Sequence, residues 1–280
     1  MTVPVAGSTD VAPATRSNLQ PMFDATKAED RAALVCYLPA GYPDVAGSKE
    51  LFAAAIDGGA DLVEVGYPYS DPVMDGPVIQ AAAEQSRSNG FRTRHLFEIV
   101  ESVAAGGGRA VVMTYFNPVL AYGVDAFARD LRSAGGLGVI TPDLIVDEAG
   151  PWLSAAREHA VDSIFLVAPS SPSERIRLTT DACRGFVYAA STMGVTGARD
   201  EVSSAAPDLV ARCRAITDVP IGVGLGVRTA AQVREIAAYA DAVIVGSALV
   251  GAVADSQDQA AAVEAMRRYA ADLRSGTGRG

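Results

Sequence analysis

The stretch VEVGYPYSDPVMDGP, residues 63–77, holds three carboxylates: Glu64, Asp71 and Asp75. Glu64 stands inside an apolar run, DLVEVG. A lone buried carboxylate costs several kcal/mol, by order of magnitude, and keeps its proton to higher pH. Such a group can give and take protons near neutrality. Asp75 follows in a loop restricted by Pro68, Pro72 and Pro77. Two acids at one mouth allow one to move protons while the other stabilises a developing positive charge. Asp71 precedes Pro72 and is expected to shape a turn or meet a partner. The alternative for Glu64 is structural, paired with an arginine or a backbone group.

Other chemistries lack their residues. The only lysines, Lys27 and Lys49, fall before the first apolar run and at the start of the following helix. Neither ends a strand, which argues against Schiff-base chemistry and against a flavin site that needs a strand lysine. The two histidines, His95 and His159, sit in helical patterns. They support neither a metal site nor a Ser–His–Asp triad, so no metal is expected. Carboxylate acid–base work remains, with tyrosines beside it. Tyr37, Tyr115 and Tyr188 lie on or at the ends of apolar runs and could offer a ring and a hydroxyl, or serve only as core.

Three loops are rich in small residues: GVTG (194–197), GLGV (224–227) and VGSA (245–248). Glycine lets backbone amides approach an anion closely. The last two loops follow the seventh and eighth apolar runs, a common phosphate position in barrels. Each alone would pass for a tight turn; together they favour a phosphorylated ligand.

The elements that position these residues repeat evenly. Apolar runs occur at 33–38, 61–66, 109–115, 137–141, 162–168, 185–190, 220–225 and 241–246. They suit parallel strands covered on both faces. Helical stripes lie between them: Val233, Ile236, Ala237 and Ala240, then Val263, Met266, Ala270 and Leu273, with Phe127 and Leu131 as a shorter pair. Eight such units predict an α/β fold, a (β/α)8 TIM barrel in one domain over 18–275. An extra helix over about Leu19–Ala28 is expected to cap the floor. Residues 1–17 and 276–280 are expected as flexible tails. A doubly wound open sheet is the runner-up, but YLPAGYPD after the first run is not its glycine fingerprint. On a strand, Leu62, Glu64 and Gly66 share one face and Val63 and Val65 the other. Glu64 is therefore expected to point into the barrel near the end where barrel enzymes keep their sites.

The chain has 280 residues, 49% hydrophobic and 6% aromatic, with net charge −10 and pI near 4.7. No basic patch appears, so nucleic acid is not an expected partner. Cys36, Cys183 and Cys213 are odd in number and set among apolar residues, as reduced core thiols of a cytoplasmic protein would be. The first residues lack a secretory pattern. No apolar run approaches the roughly 18 residues of a membrane helix.

VEVGYPYSDPVMDGPVIQ closely resembles the signature of the tryptophan synthase alpha subunit family. VMTYFNP, TPDL, STMGVTGAR, GVGLGV and VIVGSA resemble that family too, in its order, and the likeness runs from about Met22 to Leu273. The resemblance implies a barrel that cleaves indole-3-glycerol phosphate to indole and glyceraldehyde 3-phosphate by a retro-aldol reaction. It implies Glu64 as the proton-transferring acid and Asp75 as the acid that holds the indole N–H. Tyr188 matches a tyrosine beside the catalytic Glu, Tyr115 one near the indole pocket, and Tyr37 an aromatic position. Gly197, Leu225, Gly226, Gly246 and Ser247 match phosphate donors. Thr196 falls in a loop that closes over substrate, with Gly194 and Gly197 as hinges. A beta subunit partner in an alpha2-beta2 heterotetramer is implied, facing the loops around Pro72 and Phe116. Pyridoxal phosphate (PLP) would belong to that beta subunit, with no cofactor in this one. Ile145, Val146, Arg228 and Tyr42 depart from common family residues and bear on loop shape and partner contact.

Rivals remain. An isomerase of a phosphorylated sugar would also bind phosphate in a barrel. A ring-closing indole-glycerol phosphate synthase would need catalytic lysines. A non-catalytic barrel that scaffolds a beta-type partner would not need both acids.

Overall fold

The computed structural model describes residues 16–190, 205–224 and 226–279. The eight apolar runs all form strands, and the fifth forms two. The strands are β1 (Ala33–Pro39), β2 (Leu62–Gly66), β3 (Ala110–Met113), β4 (Gly138–Ile140), β5 (Asp162–Ile164), β6 (Leu166–Val167), β7 (Val187–Ala190), β8 (Ile221–Gly224) and β9 (Ala242–Val245). All pair in parallel, in chain order, and β1 closes on β9 with Val35 opposite Ile244. β4 pairs with β5 and β6 with β7, so the ring passes through Phe165 between the two short strands. The break has a local cause. The Phe165 N–H turns to Cys183 Sγ at 3.4 Å, while its carbonyl accepts from Tyr188 N at 3.0 Å.

Alternation along the strands sorts the core into two layers. Val35, Leu62, Val111, Ile140, Ile164 and Ile244 fill the barrel interior. Leu34, Cys36, Val63, Val65, Val112 and Val243 face the surrounding helices. The helical stripes land as expected: Val233, Ile236, Met266, Leu273, Phe127 and Leu131 are all buried. All three cysteines are free and buried.

The floor is closed by the helix Gln20–Ala28. Leu19, Met22 and Phe23 plug the interior, and the Phe23 ring meets Phe186 edge-on at 6.2 Å. Asp162 anchors this segment by accepting from Ser17 Oγ at 2.6 Å and from Leu19 N at 3.3 Å. The end of the chain is tied here as well. Residues 276–279, expected as tail, include Thr277, which is fully buried. Its carbonyl accepts from Ala32 N at 2.9 Å, and Gly278 bridges to Arg31.

Short helices crowd the opposite end. Pro77–Ser88 follows β2, Phe116–Tyr122 follows β3 and Ser247–Ala254 follows β9. Among the described residues, no helix is long and apolar enough to cross a membrane.

Candidate active site

Strand pairing sets the first two residues. Tyr37 of β1 lies opposite Glu64 of β2, and Glu64 lies opposite Val111 of β3. Glu64 shares the inward face of Leu62 and is 1% exposed. Its Oε2 is buried with no hydrogen-bond partner among the described residues. A structural ion pair would not leave that oxygen bare. Burial pushes the Glu64 carboxyl pKa up to about 8.

Asp75 is held by three devices. Gly76 caps the helix Pro77–Ser88, with Pro77 in its first turn, so Asp75 stands at a helix N-terminus that favours negative charge. The Asp75 carbonyl accepts from Gln80 Nε2 at 2.7 Å. The Tyr115 hydroxyl accepts from Val73 N at 3.1 Å and Met74 N at 2.9 Å, and hydrogen-bonds the Asp75 carboxyl. Burial raises the Asp75 pKa to about 6, opposed by that bond from Tyr115. The Tyr115 hydroxyl is itself pushed up to about 12, chiefly by burial. Next to it, Phe116 N donates to Asp143 at 2.9 Å, which fixes the turn into the following helix.

Two glycines seat the other tyrosines. A Cβ on Gly66 would lie 2.5 Å from the Tyr37 hydroxyl oxygen and Cε2. A Cβ on Gly224 would lie 2.2 Å from the Tyr188 hydroxyl oxygen. Both rings therefore lie over bare backbone at strand ends. Burial holds both phenols protonated well above their ordinary range, and the nearby Glu64 charge adds to this in each; for Tyr37, Asp75 adds more.

Tyr37, Glu64, Asp75 and Tyr188 line one cavity together with Gly226, Gly246 and Ser247. Gly246 caps the helix Ser247–Ala254, and Gly226 turns the chain after β8 with φ of +87°. A helix N-terminus beside a glycine turn offers amides to an anion. Ile79, Met113, Val227 and Ile244 supply an apolar wall. Sequence reasoning missed these four. Met113 and Ile244 share the inward parity of Val111 and Ala242, a signal that was available. Thr196, Gly197 and Leu225, with the proposed hinge Gly194, lie outside the described residues.

The residues set aside above have other settings. His95 Nδ1 accepts from Arg92 N at 3.1 Å, and His159 bonds Asp125 at 2.7 Å. Lys27 and Lys49 lie in the helices Gln20–Ala28 and Val45–Asp57. Asp71 is exposed and accepts from Ser70 Oγ. Val146 lies in a short 3-10 turn, Val146–Glu148, and Ile145 just before it is 52% exposed. The Arg228 carbonyl accepts from Tyr269 at 2.6 Å.

The cavity thus joins a carboxyl titrating near 8, another near 6, an apolar wall and an anion-binding helix end. The family model described as tryptophan synthase alpha chain matches residues 23–277. The tryptophan synthase alpha chain of Mycobacterium marinum is 64% identical over 239 residues, 85% of this chain and 89% of that protein. A solved structure of Mycobacterium tuberculosis tryptophan synthase is 56% identical with a TM-score of 0.90, covering 95% of this chain and 100% of that one. The tryptophan synthase α2β2 complex of Pyrococcus furiosus is similar at 35% identity and TM-score 0.80, covering 87% and 98%. With nearly its whole length matched, the chain belongs to the tryptophan synthase alpha chain family.

Proposed function

We propose that Glu64 and Asp75 together carry the cleavage of indole-3-glycerol phosphate, a lyase reaction of tryptophan biosynthesis that yields indole and glyceraldehyde 3-phosphate. The observation that carries this assignment is the buried Glu64 carboxyl, whose Oε2 has no hydrogen-bond partner among the described residues, facing the same cavity as Asp75. With a pKa near 8, Glu64 enters the reaction protonated at neutral pH. It gives its proton to C3 of the indole, and the ring becomes a cation. Asp75, ionised above about pH 6, holds the ring N–H and stabilises that charge. The Glu64 carboxylate then takes the proton of the hydroxyl on the carbon next to the ring. The bond between C3 and that carbon breaks, its electron pair returns to the ring, and the carbon becomes the aldehyde. Glu64 ends protonated, so the cycle closes without a cofactor.

Gly226, Gly246 and Ser247 bind the phosphate, joined by Gly197 and Leu225. Tyr37, Tyr115 and Tyr188 shape the ring and chain pocket, and Thr196 belongs to the loop that closes over substrate. The partner is a beta subunit in an alpha2-beta2 assembly, to which indole passes; PLP belongs to that subunit. Val73, Leu120 and Ile145 are 71%, 57% and 52% exposed on loops and a short helix that follow β2, β3 and β4, apolar surface suited to that contact. The protein works in the cytoplasm as one domain, the barrel of residues 18–275 with residues 276–279 docked against its floor.

The test is indole release from indole-3-glycerol phosphate, with and without a beta subunit. Wild type is expected to be slow alone and faster with beta. Glu64→Gln should release none yet still bind the phosphate ligand, because the amide keeps shape and loses proton transfer. Asp75→Asn should lower kcat by roughly two orders of magnitude or more, the scale of losing one charge-stabilising group. A folded wild type that releases no indole in either condition would leave the scaffold alternative.

A further inference from the structure

We propose that the Tyr37 hydroxyl donates a hydrogen bond to a hydroxyl of the substrate's three-carbon chain, and so selects chains that carry one. The proposal rests on the indole-3-glycerol phosphate reading above and deepens it.

Four observations point there. First, the Tyr37 ring runs alongside the path the chain must take. At its root, a Cβ on Gly246 would touch Cδ1 at 3.2 Å, beside the anion-binding helix end; at its tip, the hydroxyl lies over Gly66. The same ring therefore reaches from the phosphate cradle to the strand end that carries Glu64.

Second, the hydroxyl has no protein hydrogen bond among the described residues, yet Tyr37 lines the cavity and is only half-buried. Tyr115 differs: its hydroxyl already serves Val73, Met74 and Asp75. Third, the tip is fixed in place. Register sets Tyr37 opposite Glu64, and the bare Gly66 backbone receives the ring. A group held without its partner is costly to leave unpaired, which is how a site comes to reject a ligand lacking that partner. Fourth, burial disfavours its ionised form, and the nearby Asp75 adds to this, so the phenol stays a donor throughout the working pH range.

The test uses Glu64→Gln as a non-cleaving background and titration calorimetry. Two ligands are compared: indole-3-glycerol phosphate, and an analogue with the same ring and phosphate on an unhydroxylated propyl chain. Adding Tyr37→Phe should weaken the substrate about tenfold, the scale of one lost hydrogen bond. The analogue's Kd should change less than twofold. Equal weakening of both ligands would overturn the proposal and leave Tyr37 only a packing role. No weakening of either would overturn it too. If the background with Tyr37 intact binds neither ligand, the substrate reading falls and this inference with it. Tight binding of both ligands without the selective loss overturns this inference alone.

Discussion

Glu64 and Asp75 are both acids, and burial separates their titrations. The reactive form proposed above has Glu64 protonated and Asp75 ionised, which holds between about pH 6 and about 8. Hence kcat/KM, which reports the free enzyme, should be bell-shaped. It should fall below about 6 as Asp75 takes up its proton, and above about 8 as Glu64 loses its own. A profile flat across pH 5–9 would contradict the assignment. The same shift carries a stability cost. The Glu64 carboxyl has an ordinary pKa of 4.5 and a folded one near 8. Between those values the unfolded chain binds fewer protons than the folded one, so stability falls as pH rises through that window. At pH 7 the loss is on the order of 3 kcal/mol. Glu64→Gln should therefore be inactive and also melt several degrees higher at pH 7, with the difference vanishing near pH 4.5. An equal or lower Tm at pH 7 would show that the carboxyl is relieved in a way the geometry lacks.

At the scale of elements, the loop over the mouth hangs on one phenol. Tyr115 fixes the Val73 and Met74 amides and touches Asp75. Tyr115→Phe keeps the ring and removes these bonds. It should lower kcat ten- to a hundredfold through misplacement of Asp75, and move the acid limb of the pH profile to higher pH, since that bond holds the Asp75 pKa down. Unchanged kcat would mean that the prolines and the helix Pro77–Ser88 suffice. The strands and their parity were legible in the sequence, because a buried parallel strand is simply an apolar run, and Glu64 in DLVEVG announced itself by contrast. The seats of Tyr37 and Tyr188 were not. They depend on which glycine of a neighbouring strand lies beneath a ring, and that is register. The division of β5 from β6 was hidden for the same reason: it follows from Cys183, which is distant in sequence, accepting the Phe165 N–H. Nor does composition reveal that residues 276–279 dock under the barrel, since they read as coil and their order comes from partners at Asp30 to Ala32.

Across the whole molecule, the two ends of the barrel divide the labour. Phe23 at the floor is 5% exposed and packs on Phe186. Phe23→Ala should cost roughly 3–5 kcal/mol, lowering Tm by roughly 10 °C. The pH profile of kcat/KM should keep its two flanks, since no acid at the mouth is touched; a shifted flank would reveal coupling from floor to mouth. The interruption at Phe165 has a wider meaning. It divides the strands, in chain order, into a first half, β1 to β5, and a second, β6 to β9. The first half holds Tyr37, Glu64, Asp75 and Tyr115; the second holds Tyr188, Gly226, Gly246 and Ser247. In the roles proposed above, proton chemistry belongs to one half and phosphate anchorage to the other. On the reading proposed above, a substrate with its ring in the first and its phosphate in the second would be a strut between the two groups of strands, bracing the enzyme as it is consumed.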